Sequence, residues 1–263
     1  MASRRFKILI ALSAACLVPW LGPVPTFGQE PPKTLQGLLP KGARVIETAD
    51  LTKLAGKSRM LVLWMQSPTK QDTGEEYCGT AVHGNFAWEG PTRQSLLDAK
   101  RGSLINTVRI LGRGSEGDGD ATEDNFTLPG LSPASDSYYK VPHPDAAGKG
   151  VPQILNLRDF TGNGLASEFA LFQYDACGLV STSVLGYQRA SDRAVQYPIE
   201  TRDRNGSAGA IRFWAQQVFA VQPIRPGDWQ FTWGPGHGVD DVIDAKISFD
   251  RARQVFVDES VVR

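Results

Sequence analysis

Apolar and polar residues alternate along much of the chain, and the period is two. In Val242 to Asp250, Ile243, Ala245, Ile247 and Phe249 fall on one face and Asp244, Lys246, Ser248 and Asp250 on the other, the pattern of a half-buried strand. Asp250-Arg251-Ala252-Arg253 then turns the chain into Gln254 to Val262, which predicts a C-terminal hairpin. A second hairpin is expected from Thr92 to Asp98 and Ser103 to Leu111, with Gly102 supplying the positive φ of the turn. Ile211 to Val221 alternates as well, and further strands are expected at Gln153 to Arg158, Glu168 to Tyr174, Ser181 to Tyr187 and Ala194 to Ile199. Met60 to Met65 is instead a continuous apolar run, as in a strand buried on both faces. Helix signals are few: Asp50 can cap a short turn through Leu51 to Ala55 that stops at Gly56. The expected fold is mainly β, an antiparallel sandwich or irregular barrel with long loops and little helix.

The first 28 residues break this pattern. Arg4, Arg5 and Lys7 precede the apolar run Ile8 to Leu21, which is shorter than the roughly 20 residues a membrane-spanning helix needs and is interrupted by Pro19, Pro23 and Pro25. This is the form of a secretory signal, with cleavage after Thr26-Phe27-Gly28 and a mature start near Gln29. The competing reading is lipidation at Cys16, after Ser13-Ala14-Ala15. No later apolar run approaches membrane-spanning length, so the product is expected to be periplasmic or extracellular. Residues 29–263 are expected to form one β-rich domain. Its longest irregular stretch is a Gly-, Asp- and Pro-rich excursion at 112–149.

Export changes how the cysteines are read. Cys78 and Cys177 remain after the signal, and an oxidising compartment favours their pairing. Such a disulfide would close a loop worth roughly 4–5 kcal/mol in the chain-entropy picture. Charge matters mainly by exclusion. The whole chain carries 28 Lys+Arg against 28 Asp+Glu, and losing the signal leaves 25 basic residues, without the cationic excess that nucleic-acid binding requires.

Candidate chemistry concentrates in Asp159-Phe160-Thr161-Gly162-Asn163-Gly164-Leu165-Ala166-Ser167-Glu168. Side-chain oxygens at alternate positions around a sharp glycine turn suit a hard cation, with ligands from Asp159, Thr161 and Asn163, the Leu165 carbonyl, and Ser167 or Glu168. Over these ten residues the chain resembles the calcium loop of FG-GAP and VCBS repeats, which runs Asp-x-Asn-Gly-Asp-Gly before an acidic residue and a strand. Thr161 and Asn163 replace stronger ligands, and the closing acid comes one place late. The resemblance implies a weak structural calcium site in an extracellular protein. The alternative is a β-turn at Gly162-Asn163-Gly164, with Asp159 accepting a backbone hydrogen bond.

Trp229, Phe231 and Trp233, spaced by two, share one face of a strand beside the His237 loop. They are read either as core or as a platform for a flat ligand. His237 with Asp240, Asp241 and Asp244 could bind metal or transfer protons, and Asp118, Asp120, Glu123 and Asp124 could hold calcium; solvated acidic surface is the other reading of both. Gly112-x-Gly114-x-x-Gly117 matches a dinucleotide fingerprint but leads into an acidic, glycine-rich stretch rather than a helix. Nothing singles out a nucleophile. The reading that follows is an exported β-rich binding or structural protein of the cell envelope. The alternative is a secreted hydrolase acting on carbohydrate, with Trp229 and Trp233 as subsites and two carboxylates from Asp240, Asp241, Asp244 or Glu168.

Overall fold

The structure, a computed structural model, describes residues 33–72, 86–112, 124–129, 154–174, 180–202, 208–211, 223–234 and 241–263. The elements are α1 (Lys33–Gln36), β1 (Ala43–Asp50), α2 (Thr52–Ala55), β2 (Met60–Gln66), β3 (Thr69–Asp72), β4 (Phe86–Asp98), β5 (Ser103–Arg109) and β6 (Asn125–Pro129). They continue with β7 (Glu168–Tyr174), β8 (Val180–Gln188), β9 (Arg193–Gln196), β10 (Ile199–Arg202), β11 (Ala208–Ile211), β12 (Asp228–Trp233), β13 (Ile243–Asp250), β14 (Val255–Asp258) and β15 (Val261–Val262).

Three sheets result. The first runs β1-β2-β4-β3, with β5 and β6 also on β4; the second is β7-β8-β9; the third runs β11-β10-β14-β13-β12, with β15 on β13. Every pairing is antiparallel except β10 with β14. None of the sheets closes on itself among the described residues, so the architecture is the mainly β, sandwich-like alternative rather than a barrel.

Both expected hairpins are present. Asp98 faces Ser103 across a turn in which Gly102 has φ 59°, and Asp250 faces Val255 at the C-terminal turn. The run Met60 to Met65 is buried on both sides for a visible reason. Leu61, Leu63 and Met65 face the main core, while Val62 and Trp64 join a smaller cluster with Leu35, Leu39 and Leu97. The short α2 turn also forms as expected, with the Asp50 carboxylate accepting the Thr52 N–H at 2.8 Å and Gly56 taking a left-handed φ of 70°.

Three expectations change. Ile154 and Leu155 lie in a turn, and only Arg158 bridges to a strand, so Gln153 to Arg158 is not a strand of its own. The excursion at 112–149 contains β6, whose Phe126 and Leu128 are core while Asn125 is exposed; this short alternation pairs with the first half of β4. Of Ile211 to Val221, only Ile211 belongs to a described strand, and residues 212–221 lie outside the described residues.

One core joins the three sheets. Leu63 and Leu96 from the first, Phe169 and Leu185 from the second, and Ile247 and Phe256 from the third belong to a single cluster. Polar stitches cross the same joints. Gln94 on β4 donates to the Gly186 carbonyl of β8 at 2.8 Å, and Asn106 on β5 both donates to and accepts from the Ala194 backbone of β9, at 2.9 and 3.0 Å. The Asn106 amide supplies ladder-like bonds between β5 and β9, each of which pairs with one strand only among the described residues.

Candidate functional site

The loop 159–167 is closed at its base by Arg158 and Glu168, whose backbones exchange hydrogen bonds of 2.7 and 3.0 Å. Inside this frame nearly every oxygen predicted to bind calcium accepts a hydrogen bond from the loop itself. Asp159 Oδ1 and Oδ2 accept the N–H groups of Asn163 and Gly164 at 2.9 and 2.8 Å. Asn163 Oδ1 accepts the Leu165 N–H at 2.7 Å, and the Leu165 carbonyl accepts that of Ser167 at 2.9 Å. Glu168 Oε2 accepts from Phe160 and Thr161 at 2.9 and 3.4 Å, and Oε1 accepts the Ser167 hydroxyl at 2.5 Å. Of the predicted ligand oxygens, Thr161 Oγ1 is the one buried without a partner among the described residues.

The ligand set is therefore divided by depth. Asp159, Asn163 and Leu165 lie toward solvent, whereas Thr161, Ser167 and Glu168 are buried. Enclosure by protein pushes the Glu168 carboxyl up to about 7, outweighing the hydrogen bonds that favour its charged form. A carboxyl titrating there suits general acid catalysis, but Glu168 is fully enclosed and cannot meet a substrate. Among the described residues no three His, Cys, Asp or Glu side chains gather as a metal site.

The loop also docks on the third sheet. The Phe160 ring stacks on Trp229 with centroids 6.3 Å apart and planes at 28°, and the Arg251 guanidinium donates to the Gly162 carbonyl. Gly162 is required here twice over, because its φ is 68° and a Cβ would stand 2.3 Å from the Pro226 carbonyl oxygen.

Trp229 consequently belongs to the core, at 3% exposure, and Phe231 packs half-buried against the same core. The ligand-platform reading of these two rings is corrected: the alternation that aligned them turned them inward, where their large apolar area is removed from water. Trp233 is on β12, its side chain outside the described residues, as are His237 and Asp240 entirely. Asp244 accepts from Thr232 at 2.8 Å and from Arg263 at 2.5 Å, and these partners hold its carboxyl below the usual range. Asp241 is exposed. Of the earlier acidic cluster, Asp124 is clasped by Arg93 and Arg109 at 2.5 and 2.8 Å, while Asp118, Asp120 and Glu123 lie outside the described residues. So do Cys16, Cys78 and Cys177.

Two polar features escaped the sequence reading. Arg59, almost fully buried, donates to both oxygens of Asp192 at 2.9 and 2.7 Å and to Asp98 at 3.1 Å, tying the first sheet to the β8–β9 turn. Glu47 on β1 accepts the N–H groups of Ile154 and Leu155 at 2.9 and 2.8 Å. An acid among Ala43, Val45 and Ala49 at period two was a signal for the second; nothing local marked the first.

Between α2 and the loop lies an open depression of about 530 Å³, lined in part by Leu51, Leu54, Leu157 and Leu165 and by the exposed cations Lys53 and Arg189. No protein-family model, curated protein or solved structure was found to match the chain.

Proposed function

We propose that the chain is an exported, β-rich binding or structural protein of a cell envelope, and that its Asp159–Glu168 loop is a joint between sheets that takes calcium weakly. The observation that carries this reading is the loop's own hydrogen bonding. Its carboxylates hold backbone amides and its Phe160 docks on Trp229, so side chains capable of chemistry are engaged in joining strands. A carboxylate has about four acceptor positions, so Asp159 keeps spare lone pairs beside Asn163 and Leu165 on the solvent side. With one firm carboxylate facing solvent, calcium affinity falls in the millimolar range, about 10⁻⁴–10⁻³ M at best. Export rests on the basic-then-apolar pattern of residues 1–28.

Two measurements test this. The protein recovered from its host should be found in the envelope or medium with its N-terminus near Gln29; an intact N-terminus in the cytosol would end the export reading. Calcium at ten times its dissociation constant should raise the melting temperature by about 3–6 °C, reversibly with chelator. The rise should vanish in Asp159→Ala. A flat response up to 10 mM calcium would remove the metal and leave the loop as a joint alone.

A further inference from the structure

Asn163 and Gly164 are adjacent in sequence, and both are exposed in the loop. An asparagine side chain can be attacked by the backbone nitrogen of the residue that follows it, and the groups such an attack needs are in place here. The Gly164 N–H donates to Asp159 Oδ2 at 2.8 Å, within the reach of a general base. Asn163 Oδ1 accepts the Leu165 N–H at 2.7 Å, so a donor already polarises the side-chain carbonyl. Asn163 Nδ2, the leaving group, makes no hydrogen bond among the described residues. Gly164 has no Cβ to shield its nitrogen, and beyond its chain neighbours nothing lies within 4 Å of where a Cβ would stand. The base, the nucleophile and the polarised carbonyl are therefore held together before reaction.

We propose that Asn163 is a self-modification site, at which the loop converts its own asparagine to an aspartate. Asp159 takes the Gly164 amide proton, and the freed nitrogen bonds to Asn163 Cγ. The Cγ–Nδ2 bond then breaks, and the proton passes from Asp159 to the departing nitrogen, which leaves as ammonia. The chain is left with a cyclic imide between Asn163 Cγ and the Gly164 nitrogen. Water opens the ring. Addition at Cγ breaks the new C–N bond and gives an aspartate at position 163, whereas addition at the backbone carbonyl gives an isoaspartate. The Leu165 N–H polarises the Cγ carbonyl and so directs water there. Water is the sole co-reactant, and no oxidant or reductant enters.

The consequence rests on the reading of the loop as a weak calcium site. An aspartate at position 163 keeps an oxygen for the Leu165 N–H and places a second firm carboxylate beside Asp159, on the solvent side of the loop. Ligand charge count raises affinity for a hard cation. The loop therefore strengthens its own calcium site as the protein ages.

Peptide mass spectrometry tests the modification. The native protein is held at pH 8 and 37 °C beside the same chain unfolded in guanidinium chloride, where Asn205-Gly206, the same dipeptide, calibrates the unfolded rate. Asn163 should convert about tenfold faster in the folded chain than in the unfolded one, with aspartate as the main product. Folded Asp159→Asn should lose that advantage. Conversion no faster in the folded chain, a comparison that needs no variant, would overturn the proposal, as would an unchanged rate in Asp159→Asn. A calcium titration of Asn163→Asp tests the consequence separately, with a dissociation constant expected about tenfold below that of the native chain. Equal affinities, or isoaspartate as the main product, would overturn the calcium link. A native chain that takes no calcium at all would end the metal reading of the loop without altering the rate comparison.

Discussion

Glu168 and Asp192 both serve joints between sheets, and their surroundings differ in one respect. Glu168 is wholly enclosed and is met only by neutral donors: two amides and the Ser167 hydroxyl. Asp192 is half-buried and is met by cations, with Arg59 on both oxygens and Lys57 at 2.8 Å, together with the Tyr187 hydroxyl at 3.0 Å. The same functional group is therefore pushed in opposite directions. Desolvation lifts Glu168 to about 7, while the Arg59 bond holds Asp192 well below the usual carboxylate range. Their contributions to stability run oppositely with pH. The Asp192 contribution is present above the ordinary carboxylate value and is lost only in strong acid; that of Glu168 is largest below 4.5 and fades as pH rises through 7. A joint made with a cation tolerates alkali, and one made with neutral donors alone favours mild acid.

The comparison can be broken first on the Glu168 side by removing what the loop rests on. Trp229→Ala empties a site that contacts Phe160 and Phe256, and should cost about 3–5 kcal/mol in denaturant unfolding, the range for a large buried aromatic. If Trp229 were a surface platform, the loss would stay within about 0.5 kcal/mol. On the other side, Arg59→Met keeps the side-chain stem and removes the charge. It leaves Asp192 without its main partner and takes one of the donors from Asp98, and should cost about 3 kcal/mol at pH 7, the low end for a broken buried pair because Asp192 retains Lys57 and some solvent. The melting temperature should fall throughout the neutral range, with the deficit narrowing only under strong acid. An effect no larger than that of a surface ion pair, up to about 1 kcal/mol, would show that the hub is not a joint.

Much of the framework was legible because strands announce themselves locally. The two hairpins, the doubly buried β2, β7 and β8, and the capped turn before Gly56 all follow from period, turn residues and caps. β6 was hidden because its alternation spans only Asn125 to Leu128 between Gly- and Pro-rich flanks. The expected strand at Gln153 to Arg158 failed for a different reason: its amides at 154 and 155 bind the Glu47 carboxylate, a partner 107 residues away that no local pattern discloses. The loop was located correctly as a concentration of oxygens. What the oxygens face was not legible, because burial separates Glu168 and Thr161 from Asp159 and Asn163 only after the sheets assemble. Arg59 shows the same limit, since its partners come from two distant turns.

Glu168→Gln tests the account most directly. A glutamine carbonyl can accept the Phe160 and Thr161 amides while its NH₂ donates to Ser167, so the variant preserves the joint and removes its titration. Melting of native and variant proteins at pH 5.5 and pH 8 should show the variant gaining about 2 kcal/mol relative to the native chain across that interval, roughly 4–8 °C. A variant that melts lower by the same amount at both pH values would contradict the claim that Glu168 is a neutral, amide-held joint.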